Sequence, residues 1–192
     1  LQKCGIVTEQ AQRWETMMQG LSGFKTIPIT KVPRKLKAKL RPYQHEGYSW
    51  LRFLHTHGLG GILADDMGLG KTVQAIALIV EVMRPRARNG VPSQGCPSKE
   101  PTLVVAPTSV VENWDLELER FAPHLKRLVF RRGDRTHQYK KMKKSDVVVT
   151  SYPLLLRDAE MFKNYAWNTV ILDEAQWVKN HQSKAYGVIR KL

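Results

Sequence analysis

The chain has little cysteine, a deficit of acids and no long apolar run. Its two cysteines, Cys4 and Cys96, lie far apart and form no C-x-x-C pair, which excludes a disulfide framework and a zinc site of ordinary spacing and fits a reducing compartment. The six histidines, His55 and His57 among them, lack partners at metal-ligand spacing and read as surface or core residues. The longest strongly apolar stretch, Ala75 to Val80, is far too short for a bilayer span of about 20 residues, so a soluble protein is expected. Leu1 opens the chain without a charged-then-apolar leader, and Leu192 closes it inside what reads as an unfinished helix. We therefore expect a piece excised from a longer protein.

Acids number 17 against 31 lysines and arginines, a net charge of +14. Such a surplus favours a polyanionic partner, nucleic acid first. It is clustered: Lys31 to Arg41 holds six basic residues and no acid, and a second run includes Arg127, Arg131, Arg132, Arg135, Lys140, Lys141, Lys143 and Lys144. Each run is either a solvated face or part of an anion-binding surface. At 192 residues with 42% hydrophobic content, the chain suits one domain with a substantial core.

The stretch Gly60 to Thr72 organises the reading. Ile62-Leu63-Ala64 is a short apolar run, Gly68-Leu69-Gly70-Lys71-Thr72 a glycine-bearing turn, and Val73 to Val80 a helix candidate. Strand, phosphate loop and helix are expected in that order: backbone N–H groups converge on one concavity, and the helix N-terminus adds partial positive charge. Lys71 would reach the β and γ phosphates and the Thr72 hydroxyl would ligate Mg²⁺. The general G-x-x-x-x-G-K-[ST] pattern wants glycine at position 65, where this chain has Asp65.

In chain order, residues 1–35 read as an N-terminal remnant and linker, with Thr8 capping a short helix through Ala11, Trp14 and Met18. Gln44 to His57 carries Trp50, Leu51 and Leu54 at helical spacing, ended by Gly58. Gln44 is either ordinary helix surface or, by its place before the loop, an adenine reader, since its carboxamide both donates and accepts. Residues 84–101 read as a surface loop. Thr102 to Ala106 is a buried-type strand leading into Pro107-Thr108-Ser109, whose hydroxyls either cap a helix Val110 to Phe121 or meet phosphate, or both. A strand near Leu128-Val129-Phe130, a basic helix from Arg135 to Lys144 and a β-branched strand ending in Thr150-Ser151-Tyr152 follow. The last strand, Thr169 to Leu172, runs into Asp173-Glu174, the arrangement expected when one acid holds Mg²⁺ at a strand tip and the next aligns and deprotonates water. Strands alternating with helices predict an α/β fold, a mostly parallel sheet with helices on both faces and ligands at the strands' carboxyl ends.

Five segments together resemble the ordered motifs of Swi/Snf-type ATPases, members of the superfamily 2 helicase-like proteins. They are Leu40 to Gln44, Leu63 to Gln74, Val105 to Ser109, Val149 to Tyr152 and Leu172 to Gln176. The family's loop reads Asp-Met-Gly-Leu-Gly-Lys-Thr, so Asp66, Met67, Gly68, Leu69, Gly70, Lys71 and Thr72 fit it despite Asp65. Gln176, where many relatives have histidine, looks most like prokaryotic members without being confined to them. The resemblance covers residues 36–192 and implies a first RecA-like ATPase lobe, with ATP and Mg²⁺ as cofactors and DNA-stimulated hydrolysis driving translocation on double-stranded DNA. It implies Gln44 as adenine reader, Asp66 to Thr72 as the nucleotide site and Lys71, Asp173 and Glu174 as the catalytic set. Thr72 and Asp173 would hold the metal, and Pro107, Thr108, Ser109, Thr150 and Ser151 would touch the DNA backbone.

The resemblance also implies a second RecA-like lobe that supplies arginine fingers and is missing here, leaving the piece inactive in hydrolysis. The compartment would be cytoplasmic in a prokaryote and nuclear in a eukaryote. Two other readings stand beside this one: a lobe of a strand-separating RNA or DNA helicase, and a non-catalytic nucleotide-binding switch.

Overall fold

The computed structural model of the chain describes residues 26–83 and 100–192. The helix expected from Thr8, both cysteines and most of the loop expected at 84–101 lie outside the described residues.

Four strands form one parallel sheet: β1 (Thr102–Ala106), β2 (Arg127–Val129), β3 (Val147–Ser151) and β4 (Thr169–Leu172), in the order β2-β3-β1-β4. β1 and β3 are buried along their whole length, so they read as continuous Val-rich runs rather than alternating ones, as strands covered on both faces do. Val104 is level with Val149 on one side and Ile171 on the other. Each step across the sheet therefore stacks one β-branched side chain beside another.

The period-2 alternation of the strands sorts the core into two halves. Val104, Ala106, Val147 and Val149 face one side, where they meet Ile76, Ile79 and Val80 of α2 (Lys71–Val82) and Trp114 and Leu118 of α3 (Val111–Phe121). Leu103, Val105 and Val148 face the other, against Met142 of α4 (Arg135–Met142), Leu155 of α5 (Tyr152–Arg157) and Phe162 of α6 (Ala159–Lys163). Every one of these is essentially solvent-free, and burying such a side chain contributes about 1.5–3 kcal/mol. Helices thus cover both faces, as the α/β reading expects. The helix α1 (Pro42–Thr56) precedes the loop, packs on α2 and carries an Arg52–Glu81 ion pair to it. The last helix, α7 (Lys184–Ile189), is closed by Arg190, so Leu192 lies beyond it and not inside a helix as expected.

Several expectations are corrected. Ile62-Leu63-Ala64 is not a sheet strand: it pairs with no neighbour, Ile62 is 82% exposed, and a cavity separates Leu59 to Leu63 from β4. Strand structure needs a ladder partner within hydrogen-bond reach, and this segment has none. Thr108 and Ser109 do not cap α3: Val110 is the cap residue, it makes no side-chain cap, and its N–H closes a turn on the Pro107 carbonyl. The basic helix α4 is shorter than Arg135 to Lys144, stopping at Met142, and its cap is Asp134, whose carboxylate accepts from the Thr136 and His137 N–H groups. Helices α5 and α6 were not anticipated.

Candidate functional site

The loop from Asp65 to Thr72 is shaped by two glycines. Gly68 and Gly70 have φ of 84° and 75°, the left-handed region that glycine enters without steric cost. Gly70 is also the cap of α2 and provides no side-chain acceptor, so the first N–H groups of that helix keep their unsatisfied donors. A β-carbon on Gly70 would come within 2.6 Å of Gln44 Nε2, which sits there because Gln44 donates to the Leu69 carbonyl at 3.0 Å. The other end of that carboxamide accepts from Arg41 N–H at 2.9 Å, half of a capping box for α1. The structure therefore ties Gln44 to the loop backbone.

Lys71 points back over its own loop, donating to the carbonyls of Asp65 at 2.7 Å and Asp66 at 3.0 Å. Below it, fully buried Gln74 donates to Asp65 Oδ2 at 3.0 Å, while its own Oε1 finds no partner. That oxygen fills the space beside Gly47 of α1, where any β-carbon would collide with it. Asp66, Met67 and Gly68 form the exposed crest of the loop.

At the tip of β4, Asp173 is held on all sides. Its N–H continues the ladder to the Val105 carbonyl at 2.8 Å, and its carbonyl accepts from the Tyr152 hydroxyl at 2.8 Å. Its carboxylate accepts from Trp114 Nε1 at 2.8 Å on Oδ2 and from the Glu174 N–H at 2.9 Å on Oδ1. The Tyr152 hydroxyl is pushed up to about 12 by burial and by the negative charges of Asp173 and Glu174, so it remains a donor throughout the working pH range. Its ring stacks on Trp177 with centroids 5.8 Å apart. Glu174 is exposed, adopts a left-handed φ of 50°, and is met by Gln176 Nε2 at 2.5 Å. Among the described residues it is the one non-glycine residue with positive φ.

One cavity of about 750 Å³ joins the two halves: Lys71 and Thr72 line it from the loop side, Asp173 and Glu174 from the strand tip, with Trp114 and His55 between. Burial and the nearby Arg52 charge hold the His55 imidazole below its ordinary value, so it is neutral near neutral pH. Among the described residues no group of three His, Cys, Asp or Glu side chains forms a metal cage of its own. A hydroxyl and a carboxylate lining one cavity do suit a hard cation that also takes oxygen atoms from a phosphate.

The hydroxyl segments gather at the same end of the sheet, since Ala106 is level with Ser151. Thr108 and Ser109 are exposed there, while Pro107, Thr150 and Ser151 are buried and the Thr150 hydroxyl has no partner. As placed, only Thr108 and Ser109 face solvent. Sequence reasoning missed Trp114, Tyr152 and Gln74. Trp114 and Gln74 lie in segments read as helices, but nothing local announced which acid each would meet.

The chain matches the SNF2-related domain over residues 43–192. It is 39% identical over 191 residues to the putative ATP-dependent helicase/translocase YwqA of Bacillus subtilis, covering 98% of this chain and 20% of that protein. It is 38% identical to the TATA-binding protein-associated factor mot1 of Aspergillus fumigatus, covering 94% of this chain and 10% of that protein. Among solved structures it resembles the Sulfolobus solfataricus SWI2/SNF2 ATPase core in complex with dsDNA, with TM-score 0.74 and 40% identity over 86% of this chain and 32% of that one. The same core domain solved without that description of DNA gives TM-score 0.69 at 38% identity, over 88% of this chain and 32% of that one. The chain thus spans a fifth or less of these curated relatives and about a third of the solved cores. With its parallel RecA-like sheet, its glycine-shaped loop and the acid pair at the strand tip facing one cavity, the chain belongs to the SNF2-related domain family.

Proposed function

We propose that this chain is the first motor lobe of an ATP-dependent translocase on double-stranded DNA. The observation that carries the reading is the cavity onto which Lys71 and Thr72 converge with Asp173 and Glu174. The uncapped N-terminus of α2 suits phosphate oxygens, and Lys71 already bonds oxygen acceptors that phosphate would replace. Gln44, bonded to the loop at Leu69, is the proposed adenine reader, and Asp66 to Gly70 the proposed cradle. Thr72 and Asp173 are the proposed Mg²⁺ holders, Asp173 because its carboxylate is already oriented by two donors.

Bound ATP would supply the phosphoryl group that passes to water. Glu174, exposed and beside the cavity, would align that water and accept its proton, while Lys71 would stay on the phosphates as charge develops. Thr108 and Ser109, exposed beyond β1, form the proposed backbone contact; Pro107, Thr150 and Ser151, buried beneath them, would join it only on rearrangement of this surface, and the basic runs add affinity without sequence choice. A second RecA-like lobe closing over the cavity is the proposed source of arginine fingers. The proposed compartment is the cytoplasm of a prokaryote or the nucleus of a eukaryote.

The test is ATP turnover by the full-length protein with and without duplex DNA, beside a Glu174→Gln variant. We expect duplex stimulation and a loss of about 10²–10⁴-fold in the variant, the usual share of a general base, with nucleotide binding retained. Unchanged turnover in Glu174→Gln would sink the catalytic reading and favour a nucleotide-binding switch. Displacement of a third strand without unwinding of the duplex is expected; unwinding would favour a strand-separating helicase.

A further inference from the structure

Three of the four bonds that fix Asp173 come from the elements bearing the hydroxyl segments. Its N–H bonds Val105 of β1, two residues before Pro107. Its Oδ2 is bonded by Trp114, whose own N–H bonds the Val110 carbonyl of the turn that Pro107 opens. Its carbonyl is bonded by Tyr152, the residue next to Ser151. Trp114 and Tyr152 are each 2% exposed, so neither is placed to touch a duplex at the surface, although Trp114 also lines the cavity; each reaches Asp173 through one polar atom on a ring packed in the core.

We propose that Trp114 and Tyr152 are positioning residues by which the segments 107–109 and 150–151 set the Asp173 carboxylate and backbone, so that contact with duplex DNA at the exposed Thr108 and Ser109 is transmitted to the nucleotide site. The inference rests on the reading of the lobe as a DNA-stimulated ATPase. α3 begins at the turn bearing Thr108 and Ser109, and a shift of that turn moves Trp114 one helical turn later as part of the same rigid element. A bond of 2.8 Å to Oδ2 responds steeply to such a shift in length and angle. Because Oδ1 is anchored separately to the Glu174 N–H, a change at Oδ2 turns the carboxylate instead of displacing it. The same turn reorients the donor set offered to Mg²⁺ and the start of the Glu174 backbone. Tyr152 gives β3 an equivalent hold on the Asp173 carbonyl, with Trp177 stacked on its far face. Coupling of two sites through contiguous packed and hydrogen-bonded groups is a free energy measurable from either end.

The test uses the full-length protein with Trp114→Phe and Tyr152→Phe, each of which removes one donor and keeps an aromatic ring. The quantity read is the stimulation ratio, turnover with saturating duplex DNA over turnover without it, together with duplex affinity by fluorescence anisotropy and the Mg²⁺ concentration giving half-maximal rate. We expect the ratio to fall at least fivefold in either variant and the Mg²⁺ requirement to rise, with duplex affinity within about twofold of the parent because both side chains are buried. A purely structural role lowers both turnovers together and leaves the ratio unchanged; that result overturns the proposal. If Trp114→Phe does not fold, Tyr152→Phe, which loses a single oxygen, decides it alone. A parent protein that shows no stimulation by DNA instead refutes the underlying reading of the lobe, an outcome distinct from a stimulated parent with equally stimulated variants.

Discussion

The ammonium of Lys71 donates to the carbonyl of Asp65 at 2.7 Å, across the loop that Lys71 itself ends. A cation turned back on neutral carbonyls is held by weaker acceptors than phosphate would offer. Lys71→Met is therefore expected to separate binding from stability. Affinity for an ATP analogue, followed by titration calorimetry, should fall at least tenfold. The melting temperature should move by only about 2 °C, because the freed carbonyls lie where water can replace the lysine.

Gly68 and Gly70 share a left-handed φ yet differ in surroundings: a β-carbon on Gly68 meets nothing within 4 Å, whereas one on Gly70 meets Gln44. Gly68→Ala should cost about 1–2 kcal/mol from backbone strain alone. Gly70→Ala should cost more and also break the Gln44 bond to Leu69; with Gln44 in its proposed role as adenine reader, discrimination between adenine and guanine nucleotides should weaken. Urea denaturation and competition binding with ATP against GTP check the two parts.

Gly47 lies against the buried Oε1 of Gln74. Gly47→Ala is an overpacking change on a fully buried neighbour, and a loss of about 1–3 kcal/mol is expected, read by denaturant unfolding. If the variant equals the parent in stability, α1 and α2 are less tightly joined than the structure shows.

Asp158 has a side chain 1% exposed, paired with Arg157 at 2.6 Å and with Arg135 at 2.7 Å. The Arg135 contact is an ion pair off hydrogen-bonding angle. Arg135→Ala alone leaves Arg157 in place and should cost about 1 kcal/mol or less, as exposed pairs do. Removing both arginines strands a buried carboxylate and should cost about 3–5 kcal/mol. A double-mutant cycle that proves additive would contradict this sharing.

His55 is held below the ordinary histidine value of 6.5 by burial and by Arg52. Between the folded and unfolded pKa the unfolded chain binds more protons, so stability rises with pH there. The contribution is complete above about pH 6.5 and is lost as pH falls through the folded value. Denaturation midpoints should drop between pH 7.5 and 5.5. His55→Asn should flatten part of that slope; His124, lowered for the same leading reason, retains the remainder.

How much of this was legible beforehand depended on how local the cause was. β1 and β4 were read at their observed ends, because Val-rich runs bounded by Pro or acid need no distant partner to be recognised. The loop was legible through spacing, since its glycines answer a backbone requirement. Ile62 to Ala64 misled because composition supports a strand while pairing is decided by what lies alongside. Trp114 and Asp173 stand 59 residues apart, and no periodicity links an indole on one helix to an acid on a later strand. Thr108 and Ser109 were legible as hydroxyls at a strand's carboxyl end but not as non-capping ones, whereas the burial of Thr150 follows from β3 lying inside the sheet.

The left-handed turn at Glu174 divides two neighbouring acids by mechanical character. Asp173 is still part of the ladder and inherits its coordinates from the sheet. Glu174 has already left the ladder, with one glutamine contact at its carboxylate. The proposed hydrolysis, which needs both a fixed post and a hand free to follow a moving water, would obtain them from consecutive residues, at the expense of a single unfavourable backbone angle.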